Sequence, residues 1–136
     1  MQKINSICII DDDVITIYGI RKLLGSLVTC DDITSYENGR LALEGIQNEI
    51  AKKGKAPEII FLDINMPIMD GWQFLEAFIA MPLKQQVRIE ILTSSIDPID
   101  KQNYERFKKL THHKLTYNFK PLRKAKMEAL LTMASE

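Results

Sequence analysis

The run Ile59-Ile60-Phe61-Leu62 is unbroken apolar sequence, and it gives way at once to Asp63-Ile64-Asn65-Met66-Pro67-Ile68-Met69-Asp70-Gly71. A short run with no polar face predicts a buried strand, as in a parallel sheet covered on both sides, and it sets Asp63 at that strand's end. A second run, Ile7-Cys8-Ile9-Ile10, ends in Asp11-Asp12-Asp13, and two later ones end at Thr93 and at Lys120-Pro121. In an open parallel sheet these four ends meet at one edge, where such sheets bind their ligands.

Between the runs the spacing is helical. Ile17, Ile20, Leu24 and Leu27 recur along one face, with Asp13 placed to cap the helix start. A weak strand follows at Asp32 to Tyr36; Asn38-Gly39 then opens a helix carrying Leu43, Ile46 and Ile50, which Lys52-Lys53-Gly54-Lys55-Ala56-Pro57 ends as a solvated connection. After the strand Glu58 to Leu62, Asp70 caps a helix with Phe74, Phe78 and Met81 on its apolar side. Val87 to Leu92 reads as a strand, Pro98 to Leu110 as a helix, Leu115 to Phe119 as a strand, and Met127, Leu130, Leu131 and Ala134 mark a last helix. Five strands alternating with five helices predict an α/β fold, a doubly wound five-stranded parallel sheet flanked by five helices.

The length of 136 residues fits one domain, residues 1–136, with a real core and no output domain. Eighteen basic residues balance eighteen acidic ones, which argues against nucleic acid or an anionic membrane as the general partner. Cys8 and Cys30 lack metal-site spacing and read as two buried reduced thiols, pointing to a cytoplasmic protein. The apolar run after Lys3 is too short for a signal peptide, and no stretch approaches the roughly 20 residues of a membrane span.

The acidic edge has its own chemistry. Two carboxylates about 4 Å apart repel by roughly 4 kcal/mol at an effective dielectric near 20, so Asp11, Asp12 and Asp63 in one pocket call for a counter-charge. Magnesium suits such a donor set, since it takes a few carboxylate or carbonyl oxygens and keeps waters and phosphate oxygens. Lys120 would reach a phosphoryl oxygen, and Thr93 would give it a hydroxyl donor. Carboxylate nucleophile, metal, ammonium and hydroxyl together describe phosphoryl transfer onto Asp63.

With these residues in order, nearly the whole chain resembles the receiver domain of two-component response regulators, the CheY-like fold of flavodoxin-type strand order. The match runs through Asp11-Asp12 as the acidic pair, Asp63 in the D-x-x-M-P-x-M-D-G signature, Thr93 as the switch hydroxyl and the Lys120-Pro121 pair. The resemblance implies that Asp63 accepts phosphate from a phosphohistidine of a sensor histidine kinase or a histidine phosphotransfer protein. It implies Mg2+ bound by Asp12, Asp63 and the backbone carbonyl of Asn65, with Asp11 acting largely through water, and it makes Tyr117 the aromatic switch. It also points to a cis bond at Lys120-Pro121 and to the side chains of Asn65 and Ser95 as neighbours that set phosphoryl lifetime. Such a chain modifies itself, by self-catalysed phosphotransfer and autodephosphorylation, and is not otherwise an enzyme.

Phosphorylation would then be read on the face of the fourth helix, fifth strand and fifth helix, with Lys101, Tyr104, Lys108, Tyr117, Lys124 and Glu128 as expected members. A downstream protein target is expected there, with the chain a monomer or a phosphorylation-dependent dimer; a phosphorelay carrier or phosphate sink is the alternative. Departures from the family are the third acid Asp13, a long segment from Asn48 to Pro57, and an extended one from Lys108 to Thr116 whose His112-His113 pair reads as solvated. Asp11-x-Asp13 also resembles the first motif of haloacid dehalogenase-like phosphatases. That family needs a further acidic pair after the lysine, whereas here only Glu128 and Glu136 follow, and it leaves Asp63 without a role. A P-loop is excluded because no G-x-x-x-x-G-K-[ST] occurs.

Overall fold

The computed structural model describes residues 1–134, with side chains to residue 132; Glu136 and the Ala134 side chain, both named above, lie outside the described residues. Twelve elements follow one another along the chain. They are β1 (Gln2–Lys3), β2 (Ile7–Ile10), α1 (Val14–Leu27), β3 (Val28–Thr29), β4 (Ile33–Tyr36), α2 (Gly39–Lys53), β5 (Ile59–Asp63), α3 (Gly71–Ile79), β6 (Arg88–Thr93), α4 (Pro98–Leu110), β7 (Lys114–Phe119) and α5 (Lys124–Ala134).

The main sheet is five-stranded in the order β4-β2-β5-β6-β7, and every pair in it is parallel. Its strand order reverses between β2 and β5, so the crevice at their carboxyl ends, where Asp11 and Asp63 stand, is the topological switch point. The pleat divides the apolar runs between two cores. Cys8, Ile10, Ile60 and Leu62 join Phe74, Phe78 and Phe107 on one face, while Ile7, Ile9, Ile59 and Phe61 join Ile20, Leu24 and Met127 on the other. This is why the runs carry no polar alternation: both faces are covered.

Local caps explain the helix starts. Asp13, Asn38, Asp70 and Asp97 each accept an amide of the following first turn, and Asp70 with Gln73 forms a reciprocal capping box. Each such cap contributes on the order of 1 kcal/mol. Gly54 closes α2 with φ of 76°, a left-handed turn that glycine adopts without strain.

Several expectations need correction. The short parallel ribbon β1–β3 lies outside the predicted pattern, because two-residue strands have no readable period. Cys30 is half-buried rather than buried, with its thiol 3.5 Å from the Asp32 carbonyl; Cys8 is buried, which pushes its thiol up to about 12, and both are free. His113 is not a solvated loop residue. It is 5% exposed, its Nδ1 accepts the Val87 amide at 2.9 Å, and its ring packs on Phe78, while His112 beside it stays exposed. Burial, and then His112, lower the His113 pKa to about 4, so the ring is neutral near pH 7.

Candidate functional site

Asp11 directly follows β2 and is buried, and its two oxygens have different partners. Oδ1 accepts the Asp13 amide at 2.9 Å and Oδ2 accepts Lys120 Nζ at 2.9 Å. Asp63, the last residue of β5, is also buried, with Oδ1 3.4 Å from the same ammonium. Asp12 stands exposed at the mouth, and one carboxylate oxygen from each of the three acids falls within 4.8 Å of the others. Three carboxylates against one ammonium leave the pocket too negative. Burial first, then Asp11, push the Asp63 carboxyl up to about 6 despite the pull of Lys120. For Lys120 burial works the other way, but the bonds to Asp11 and Asp63 outweigh it and hold the ammonium above its ordinary value. An all-oxygen cluster with excess negative charge fits a hard divalent cation, and among the described residues it is the only such acidic group found.

Thr93 ends β6, one residue beyond the Leu92 that pairs with Asp63, and is fully buried. Its carbonyl accepts the Lys120 amide at 2.9 Å, which ties the two strand ends together beside the cis Lys120-Pro121 bond expected from the sequence. Its hydroxyl accepts the Ser95 amide at 2.9 Å, the Ser95 hydroxyl accepts the Asp97 amide at 3.1 Å, and the Asp97 carboxylate accepts the Ile99 amide at 3.0 Å. A staircase of side-chain oxygens, each two residues on, thus joins Thr93 to the first turn of α4.

The opposite bank is held by backbone. The Gly71 amide donates to the Ile64 carbonyl at 2.9 Å, and a Cβ on Gly71 would stand 2.4 Å from the Asp63 carbonyl oxygen. The Gly39 amide donates to the Met69 carbonyl at 3.0 Å, where a Cβ would again collide at 2.7 Å. Both glycines are therefore required by close approach. Ile68, at the tip between them, is exposed with φ of 73°.

The structure brings Asp11, Asp12, Asp63 and Lys120 together and sets Thr93 at the end of the adjoining strand. Asn65 is exposed two residues past Asp63, and Asp13 caps α1, which gives the third acid a structural role. Tyr117 is half-buried on β7, stacked on Tyr104 with ring centroids 5.2 Å apart, and Lys101 Nζ lies 5.3 Å from its centroid. Of the expected surface members Lys101, Lys108, Lys124 and Glu128 are exposed, whereas Tyr104 is buried and supports the surface from below. Glu128 sits on α5 outside the acidic cluster, so among the described residues the phosphatase pattern finds no second acidic pair. Sequence reasoning missed Asp100, a nearly buried acid that accepts the Trp72 indole N–H at 2.9 Å, and Phe119, an exposed aromatic at the end of β7. An acid in a predicted helix first turn and an aromatic in the last apolar run were the available signals.

The family model of the response regulator receiver domain matches residues 7–131. The chain belongs to that family. The receiver is 29% identical to a two component response regulator from Cytophaga hutchinsonii, with a TM-score of 0.79 and 98% of each chain covered. A two-component response regulator from Legionella pneumophila shares the fold at a TM-score of 0.72 and 23% identity, over 96% of this receiver and 97% of that chain. An uncharacterized response regulatory protein of Vibrio cholerae is 28% identical over 128 residues, 93% of the receiver and 43% of that relative. The receiver therefore spans less than half the length of this curated relative. No helix among the described residues is long and apolar enough to cross a membrane.

Proposed function

We propose that the receiver accepts a phosphoryl group on Asp63 from the phosphohistidine of a sensor histidine kinase or a histidine phosphotransfer protein, and signals through the face of α4, β7 and α5. The observation that carries this reading is the shared ammonium: Lys120 Nζ stands 2.9 Å from Asp11 and 3.4 Å from Asp63, in a pocket whose three carboxylates still outnumber it by two. In the transfer an Asp63 oxygen forms the new P–O bond while the P–N bond breaks, and the imidazole leaves with that electron pair. Lys120 is within reach to neutralise the incoming phosphoryl oxygens, and the Thr93 hydroxyl offers them a donor. Asp11, Asp12, Asp63 and the Asn65 carbonyl would hold Mg2+, which when bound supplies further charge neutralisation.

The donor's approach also has support. A groove of about 770 Å³ runs beside the site, with Asp13, Lys120 and Ser94 at one part and Ile15, Leu23 and Leu122 among its apolar walls. Exposed Val14, Ile15 and Tyr18 on α1 extend an apolar surface that a donor protein would cover while its histidine reaches Asp63. Catalysis here is limited to the receiver's own phosphorylation and dephosphorylation, and the cytoplasm is the proposed location.

Incubation with acetyl phosphate and magnesium tests the reading. One phosphoryl group should be added, and Asp63→Asn or chelation of magnesium should abolish it. Full labelling of Asp63→Asn would overturn the assignment and move it to Asp11.

A further inference from the structure

We propose that the hydrogen bond from Trp72 on α3 to Asp100 on α4 is a latch, which holds the start of α4 against α3 and opposes the shift that a phosphoryl group on Asp63 drives through Thr93. The inference rests on the phosphoacceptor reading above and adds a regulation to it. The Trp72 indole N–H donates to Asp100 Oδ1 at 2.9 Å. Asp100 is 9% exposed and in no ion pair, and among the described residues the indole is the one donor to its carboxylate. A buried carboxylate with a single neutral partner depends heavily on that partner.

Asp100 is also where the path from Thr93 arrives. The staircase that starts at the Thr93 hydroxyl reaches Asp97 by way of Ser95, and the Asp97 carbonyl accepts the Asp100 amide at 3.1 Å. One residue thus receives both the line from the pocket and the tie to α3. The same indole makes a second contact of another kind. It stacks on Phe107, about 10 Å further along α4, with ring centroids 5.8 Å apart and planes 4° apart. Stacked rings hold over centroid distances of roughly 4.5–7 Å, whereas a side-chain hydrogen bond stretched to about 3.6 Å is gone. A pull of under about 1 Å on the first turn of α4 therefore opens the Asp100 contact and leaves Phe107 as the pivot.

Beryllofluoride binding in the presence of magnesium, read by fluorine NMR, tests the latch in two variants. Trp72→Phe keeps a ring on Phe107 and loses the donor; Asp100→Ala loses the acceptor. Each should bind beryllofluoride more tightly than the wild type by roughly threefold to tenfold, since a restraint confined to one state weakens the ligand that selects the other. The double variant should gain no more than either single one. Asp100→Asn keeps a weaker, uncharged acceptor and should fall between, which covers an Asp100→Ala protein that does not fold. A contact made equally in both states would change urea stability and leave this affinity alone. Unchanged or weaker binding in either single variant, or gains that multiply in the double variant, would overturn the proposal. Wild-type protein that binds no beryllofluoride would reject the phosphoacceptor reading and the latch with it, whereas wild-type binding with unaltered affinity in the variants rejects the latch alone.

Discussion

Asp11 and Asp12 are adjacent in sequence and unequal in structure. Asp11 is buried and satisfies both the Asp13 amide and Lys120, whereas Asp12 is exposed and offers its carboxylate to the cluster. Asp12→Ala should therefore weaken magnesium binding strongly with little change in stability, while Asp11→Ala should also cost about 1–3 kcal/mol of stability by leaving polar partners short. Magnesium titration and urea unfolding of the two variants check this; equal stabilities with equal, negligible losses of affinity would contradict it. His113 gives a pH test. Its folded-state value of about 4 lies below the ordinary 6.5, so between those values the unfolded chain binds a proton that the folded chain refuses. The contribution is whole above 6.5 and is lost as pH falls toward 4, by about 3 kcal/mol at the most. His113→Asn keeps an acceptor for the Val87 amide without titrating in this range. The wild-type advantage over it should narrow between pH 7 and 4.5 in urea unfolding, and the opposite-signed Asp63 contribution, present in both proteins, cancels in the difference. The strand-end acids, Thr93 and Lys120 were legible because each terminates an apolar run. His113 was not, because its partner lies 26 residues away and only the packed loops bring the two together.

At the scale of elements, two glycines make opposite predictions. A Cβ on Gly71 collides with the Asp63 carbonyl oxygen, whereas one on Gly19, in the middle of α1, meets nothing within 4 Å. Gly71→Ala should destabilise by about 2 kcal/mol or more and impair Asp63 labelling, because relief must come from the backbone that carries Asp63. Gly19→Ala should stabilise by about 0.5–1 kcal/mol, the helix-propensity gain at an open site. Denaturant midpoints for the pair check the contrast, and a shared sign would refute it. Helix starts were readable from Asp13, Asn38, Asp70 and Pro98, since capping is written in one or two residues. Met81 was assigned to a helix that stops at Ile79; there the apolar spacing continues into a turn whose side chains still pack on the core.

For the molecule as a whole, the alternation of strand and helix was enough to give the layered architecture, and right-handed crossovers left few strand orders to choose from. Net charge misled by being summed: a zero total said nothing of the nine basic residues that fall between positions 101 and 127. The two banks of the acidic pocket also differ in kind. On the Asp63 side, amide-to-carbonyl bonds and glycine contacts fasten the loop to α2 and α3; on the Thr93 side, the loop hangs on three side-chain oxygens. Beryllofluoride should accordingly change amide exchange from Ser95 through α4 and along β7 more than from Ile64 through α3. Equal change on both banks would reject this asymmetry. To pass from about 1 to 99 per cent active, the added group must favour one state by roughly 5.5 kcal/mol, so a partial shift is expected until a partner binds.

That contrast amounts to a difference in stiffness across a single crevice. A load applied at its floor travels to whichever wall yields first, and the wall built of hydroxyl and carboxylate rungs is the one expected to yield. The molecule thereby gives a direction to a disturbance that has none of its own. Shortening a rung, as Ser95→Ala would, should leave Asp63 able to take its phosphoryl group while the news of it arrives at α4 faintly.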